Sequence, residues 1–93
     1  MGESRTNFGY KSDYSTLQGR LEYSASTDQW KLRYIPIDGK TDRFGGSVVL
    51  VEKDRMTDFE DGDFVTVDGE LGRDGRDTVG YAPAYHLGGI RRL

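Results

Sequence analysis

Side chains able to act as catalysts or metal ligands are few in this sequence, and their spacing matches no established arrangement. His86 is the only histidine and there is no cysteine, whereas a catalytic triad or a zinc site needs further partners. Four carboxylates crowd one segment, at Asp58, Glu60, Asp61 and Asp63. Counted from Asp58, a calcium loop of the EF-hand type needs an oxygen at its fifth position, where Gly62 stands. These carboxylates therefore indicate solvated turns.

The glycine-rich segments do not supply a phosphate-binding loop either. Gly45-Gly46 lacks the Lys-Ser/Thr ending, and Gly72-x-x-Gly75 does not lead into a predicted helix. The sequence therefore predicts a protein that is not an enzyme and that uses no metal and no cofactor. An enzyme without a recognisable motif stays as a third possibility, behind two kinds of binding protein.

Aromatic and basic residues are interleaved at Trp30, Lys31, Arg33 and Tyr34. Rings on which bases stack, next to cations that meet phosphates, are what binding of single-stranded nucleic acid requires. In a strand, however, successive side chains point to opposite faces, so Trp30 and Tyr34 share the side of Leu32. Lys31 and Arg33 then face the solvent. The two rings belong either to a binding face or to the core.

Composition limits the possible partners. The 93 residues predict one domain, and 13 Lys+Arg against 16 Asp+Glu give a net charge of −3 and a pI near 5.0. An acidic domain lacks the usual electrostatic footprint of a nucleic-acid-binding protein. No apolar run approaches the roughly 20 residues of a membrane span. The N-terminus has no signal-peptide pattern, and both a cytoplasmic and an exported location stay open.

Five segments alternate like strands and are separated by turn residues. They cover residues 17–23, 30–37, 47–52, 62–71 and 81–86. In the fourth, Val65 and Val67 share one face, and the third is apolar enough to be covered on both faces. Met56 and Phe59, three residues apart, predict at most one short helical turn between the third and fourth strands. Residues 1–15 are predicted to form a flexible arm that docks by its aromatic residues.

The fold class is therefore all-β, and the order of the elements resembles the OB-fold, a five-stranded Greek-key barrel. The resemblance covers residues 16–93. It is carried by Leu17-Gln18-Gly19-Arg20-Leu21-Glu22, by Gly45-Gly46-Ser47-Val48-Val49-Leu50, by Gly62-Asp63-x-Val65-x-Val67-x-Gly69-x-Leu71 and by Tyr85-x-x-x-x-Ile90. The chain looks most like small bacterial OB-fold proteins, including exported ones. It departs from the commoner pattern in the shortness of its helix.

The resemblance also implies where a ligand would bind. OB-folds use the face of their second and third strands with the loops that join strands 1–2 and 4–5. Mapped onto this sequence, the implied ligand-binding residues are Trp30, Lys31, Arg33, Tyr34, Phe44, Arg73 and Arg76. We expect a non-enzymatic binding module for a protein, a peptide or a small molecule. Binding of single-stranded nucleic acid is the alternative.

Overall fold

The computed structural model describes residues 7–36, 39–42, 44–72, 78–79 and 82–93. They form seven strands and, in chain order, the bounds are β1 Gly9–Tyr10, β2 Thr16–Ser24, β3 Gln29–Arg33, β4 Ser47–Leu50, β5 Phe64–Leu71, β6 Thr78–Val79 and β7 Ala82–Arg92. A 3₁₀ turn over Lys53–Met56 lies between β4 and β5. The all-β prediction and the single short turn between the third and fourth predicted strands are both confirmed.

Five of the strands close into a barrel. Antiparallel pairs join β2 to β3, β3 to β4, and β7 to β5. A parallel pair joins β4 to β7, and β5 returns to pair with β2. This circuit is a Greek key that is consistent with an OB-like fold. The two-residue strands β1 and β6 are additions at the margins of β2 and β7.

Two strand bounds differ from the sequence prediction. The second strand is predicted to reach residue 37, which lies outside the described residues, but β3 ends at Arg33. The amide of Tyr34 still bonds to Gly46, but Gly45 and Gly46 have φ values of 77° and 81°, outside the range of a strand. The fifth was expected to end at residue 86, yet β7 continues to Arg92. It passes Gly88 and Gly89 by way of a bulge at Gly88 of β7, opposite Asp68 and Gly69 of β5, which keeps the two strands paired.

The core follows the predicted alternation. Val65 and Val67 are buried on the inner face of β5 and Leu17 and Leu21 on that of β2, while all four residues of β4 are buried. Strand β4 is therefore covered on both faces, as its apolar run predicts. The remaining large side chains that are fully buried are Leu32, Tyr34, Leu50, Met56 and Tyr85.

Side chains from outside the barrel strands cover both ends of this core. Met56 of the 3₁₀ turn is buried and Phe59 packs beside it on the core cluster, as the sequence predicts. The turn follows the end of β4, and Tyr34 follows the end of the antiparallel β3, so the two mark opposite ends of the barrel. Tyr14 is buried next to Tyr34, with 6.0 Å between the ring centroids.

The N-terminal segment, predicted as an arm over 1–15, is packed on the barrel from residue 7 onward. Gly9 and Tyr10 pair with Gln18 and Leu17 of β2. The ring of Phe8 meets that of Phe64 edge to face at 5.5 Å between centroids. Aromatic residues therefore make much of the contact that residues 7–10 form with the barrel.

Gly19 lies where β2 changes partners. Residues 16–20 pair with β5 and residues 20–24 pair with β3. A Cβ atom at this position would run into the carbonyl group of Arg33 and lie 2.9 Å from the Cα of Tyr34. Backbone cannot yield as a flexible side chain does, so only glycine allows this close approach.

Gly19→Ala is expected to lower the free energy of unfolding by at least about 2 kcal/mol, because the new methyl group forces backbone apart. The urea midpoint would measure the change. Gly9→Ala is the matched control, since a Cβ there meets no atom within 4 Å, and about 0.5 kcal/mol or less is expected. Equal midpoints for the two variants would contradict the proposed role of the close approach.

Candidate functional site

The predicted ligand-binding residues that the structure describes form two groups, one packed against the core and one on the outer face of β3. Tyr34 has no exposed surface, and Trp30 and Phe44 are half-buried against the core cluster. Lys31 and Arg33 alternate with the buried Leu32 and lie on the outer face. Of the two interpretations that the sequence leaves open for Trp30 and Tyr34, the structure places both rings with the core.

The outer face of β3 carries an ion-pair chain that joins it to β2. Nε of Arg33 donates to Oε2 of Glu22 at 3.4 Å, and Nη2 of Arg20 donates to the same oxygen at 3.2 Å. Such exposed pairs contribute little to stability. Their effect here is to hold the charge of Arg33 beside a carboxylate, which weakens its attraction for an anionic ligand.

A small groove crosses the same outer surface. Its volume is about 220 Å³, and it is lined by residues 27–29 and 49–51 together with Lys53. We call it the β3–β4 groove. Val49 and Leu50 at its base are buried, and Val51, 37% exposed, is its accessible apolar side chain. It lies between the predicted second and third strands and next to the loop that joins the predicted first and second, but none of the predicted ligand-binding residues that the structure describes lines it.

The rim of the β3–β4 groove is ordered by Asp28. Its Oδ2 accepts a hydrogen bond from Nζ of Lys53 at 2.8 Å, and its Oδ1 accepts one from Oη of Tyr23 at 2.8 Å. The hydrogen bond from Lys53, followed by that from Tyr23, lowers the pKa of the Asp28 carboxyl. The ring of Tyr23 in turn lies 4.9 Å from that of Trp30. The rim thus presents one cation and one anion in a fixed arrangement.

Asp42 forms the most highly connected polar site among the described residues. Its Oδ2 accepts the hydroxyls of Tyr34 at 2.6 Å and Tyr14 at 2.7 Å. Its Oδ1 accepts the backbone amides of Gly46 at 2.9 Å and Phe44 at 3.2 Å. Four donors therefore occupy the two carboxylate oxygens, which makes Asp42 an anchor between the N-terminal segment and the loop before β4.

Burial and hydrogen bonding act in opposite directions on Asp42. Burial by itself raises the pKa of a carboxyl, but the hydroxyls of Tyr34 and Tyr14 and the two amides outweigh it and hold the pKa of Asp42 below its ordinary value. Burial, with the hydrogen bond to Asp42 second and the charge of Asp42 third, raises the pKa of Tyr34. Asp42 is thus ionised and the hydroxyl of Tyr34 is protonated at neutral pH.

Tyr14 adopts a backbone conformation unusual for its type. Its φ is 61°, in the left-handed region that aromatic residues rarely occupy. Its carbonyl oxygen accepts the hydroxyl of Tyr85 at 2.6 Å, and its own hydroxyl bonds to Asp42. Two hydrogen bonds and burial hold the residue in this conformation, since such a conformation persists only where the surroundings fix it.

The acidic segment around Asp63 is used for turns and ion pairs. Asp63 accepts the amide of Glu60 at 2.9 Å and Nη2 of Arg92 at 2.9 Å, and these two contacts lower its pKa in that order. Oδ1 of Asp61 accepts the amide of Tyr23 at 2.8 Å. In the part of the chain that the structure describes, no three metal-ligating side chains converge.

Arg73 and Arg76, the two remaining predicted ligand-binding residues, lie outside the described residues. His86 is exposed, with Nδ1 at 3.6 Å from Oε2 of Glu52, and the other oxygen of that carboxylate accepts the amide of Leu87 at 2.8 Å. The carboxylate of Glu52 therefore accepts the amide of Leu87 on β7 in place of a backbone carbonyl, just beyond the point where β4 stops pairing.

A second depression, which the sequence analysis missed, lies on the outer surface of β2, β5 and β7. It consists of two adjoining grooves of about 610 and 300 Å³ that share Thr16 and Asp68. We call it the β5–β7 groove. The paired glycines Gly88-Gly89 are the sequence signal for it, because their missing side chains leave the surface open beside Asp68.

None of three comparisons, with protein-family models, with curated protein sequences and with solved structures, finds a match for this chain. Among the described residues, no helix has the length and apolar character needed to cross a membrane. The geometry of the two grooves and of the Asp42 site is therefore the basis for assigning a function.

Asp42→Asn is expected to lower the free energy of unfolding by about 1–3 kcal/mol near pH 7, because the charged acceptor is lost and an amide NH₂ group faces existing donors. Because the pKa of Asp42 is lower in the folded state than its unfolded value of about 3.9, the ionised carboxylate stabilises the fold above that value. This stabilisation is lost as the pH falls through the folded-state pKa. The gap between the two proteins should therefore narrow below about pH 4.

Urea unfolding followed across this pH range measures the gap. Asp54→Asn is the control, since Asp54 is an exposed carboxylate of the 3₁₀ turn and a change within about 0.5 kcal/mol is expected. A gap that widens on acidification would contradict the assignment of Asp42 as an ionised anchor.

Proposed function

We propose that this chain is a non-enzymatic binding module whose β3–β4 groove accepts an apolar side chain of an extended peptide or protein segment. The observation that carries the proposal is the exposed side chain of Val51, which lies over the buried Val49 and Leu50 in a groove between the 27–29 loop and Lys53. OB-like barrels use the corresponding face for ligands, and the resemblance to small bacterial OB-fold proteins supports the same choice.

The size of the groove favours a peptide over a free small molecule. Sites that enclose a drug-sized ligand usually measure about 300–1,000 Å³, and the β3–β4 groove is smaller, at about 220 Å³. One aliphatic or aromatic side chain fills such a volume. Burying it stabilises the complex by roughly 1.5–3 kcal/mol, so further contacts along the peptide backbone would be needed for useful affinity.

The rim supplies a means of discrimination. Lys53 and Asp28 hold opposite charges 2.8 Å apart in the same groove as Val51. A charged group of the partner can pair with Lys53 or Asp28 only by displacing the other member of this pair. Because exposed ion pairs are weak, such an exchange adds little to the affinity. The site therefore selects for an apolar anchor first and tolerates polar flanking residues.

Single-stranded nucleic acid is the second candidate, and Lys31 favours it. Lys31 and Arg33 share the outer face of β3 next to the β3–β4 groove, and cations along a strand attract phosphates. Against it, Tyr34 has no exposed surface on which a base could stack. Arg33 is also held by Glu22, and the net charge is −3.

A ¹H–¹⁵N NMR titration tests the peptide proposal. The probes are pentapeptides with a central Leu, Phe or Trp and neutral flanks. We expect shifts confined to residues 27–31 and 49–53, and we expect Val51→Glu to weaken binding by about tenfold or more, because a carboxylate replaces the accessible apolar side chain. Leu93→Glu is the matched control, since Leu93 is an exposed apolar residue elsewhere.

Absence of shifts in that region, or an equal loss of binding in the Leu93→Glu control, would overturn the peptide proposal. The nucleic-acid alternative has its own assay, fluorescence anisotropy with a labelled oligo-dT at two salt concentrations. Phosphate contacts are strongest at low salt, so binding that appears there and is lost in Lys31→Glu would establish the alternative. No binding at low salt would eliminate it.

A further inference from the structure

We propose that the β5–β7 groove is a second binding site, separate from the β3–β4 groove, and that it takes a neutral saccharide. It shares no lining residue with the β3–β4 groove. Its two parts meet at Thr16 and Asp68, and together they exceed the volume that one small side chain fills. Volumes of this order are typical of sites for whole small ligands.

Asp68 lies at the point where the two parts meet. It pairs with Gly89 beside the β-bulge at Gly88 of β7, and bulges commonly re-aim a side chain. Its carboxylate lies over the paired glycines of β7. A Cβ atom on Gly89 would stand 2.9 Å from Oδ1, and one on Gly88 would stand 3.3 Å from Oδ2. The glycines therefore make room for this carboxylate.

The hydrogen-bonding capacity of Asp68 is unused within the described residues. The structure gives its carboxylate no hydrogen bond and no ion pair there, although Asp13, Asp28, Asp42 and Asp63 all have such partners. An ionised carboxylate accepts hydrogen bonds at both oxygens. Asp68 thus offers an exposed acceptor to whatever occupies the groove.

Donors and further hydroxyls line the same surface. Arg91 borders the smaller part of the groove with Thr16 and Thr66, and among the described residues its guanidinium has no ion-pair partner. The hydroxyl of Thr66 donates to the carbonyl of Leu17 at 3.4 Å, which leaves its lone pairs as acceptors. A carboxylate, a guanidinium fork and hydroxyls therefore lie within one depression.

This mixture fits a ligand whose groups both donate and accept. Neighbouring hydroxyls of a sugar donate to a carboxylate and accept from a guanidinium at the same time. A polyanion would meet Asp68 and Glu70 in the larger part of the groove, and a polycation would meet Arg91 in the smaller. The glycines let a flat ring approach the backbone closely. A neutral saccharide satisfies all three conditions.

Titration of the ¹⁵N-labelled chain with two neutral hexasaccharides, an α-1,4-glucan and a β-1,4-glucan, tests the proposal. We expect one of them to shift the amides of Thr66, Gly69, Gly89 and Arg91 and to leave residues 27–31 and 49–53 unmoved. Asp68→Ala and Asp68→Asn should each weaken binding by about tenfold, because a charged acceptor is lost. The isosteric Asn variant guards against a change in fold.

Asp58→Ala is the matched control, since Asp58 is an exposed carboxylate outside the groove and unchanged affinity is expected. The proposal is overturned if neither saccharide moves the groove amides, or if Asp58→Ala weakens binding as much as Asp68→Ala. Shifts produced by hexalysine but by neither saccharide would also overturn it and would mark a surface for basic segments. Because the two grooves report through different amides, this outcome is independent of the peptide titration.

Discussion

Closure of the barrel depends on the contact between Gly19 and the backbone of Arg33. Strand β2 has nine residues. Its first half pairs with β5 and its second half pairs with β3. A strand that long can bend around a core of this size only if its inner surface at the bend is nearly bare. The pairings that follow from the bend leave the β3–β4 groove and the β5–β7 groove on separate parts of the wall.

Much of this architecture is readable from the sequence, because one physical rule governs most of it. Side chains alternate along a strand, so the burial of Val65 and Val67 and the double coverage of β4 follow from residue types alone. The turn with Met56 and Phe59 follows from a different rule, the three-residue spacing that places two side chains on one face of a helical turn. The continuation of β7 past Gly88-Gly89 was missed, since paired glycines resemble a chain terminus when the partner strand is unknown.

The candidate sites are less predictable than the fold, because they depend on which strands become neighbours. Alternation separates Lys31 from Trp30 but cannot say that Glu22 on another strand holds Arg33. The role of Asp42 is hidden for a similar reason. Its four donors come from three separate stretches of chain, so its neighbours in sequence suggest only a turn. Asp68 likewise gains its setting from glycines twenty residues away.

The parallel junction of β4 with β7 is the shortest in the barrel circuit, with two residue pairs, and it joins parts of the chain distant in sequence. The pairing of β2 with β5 is similarly remote. By contrast, β2, β3 and β4 follow one another as a meander. Because remote contacts must overcome the entropy of closing large loops, chains of this kind fold slowly. We therefore expect the local meander to form first and the β4–β7 junction to close the barrel last.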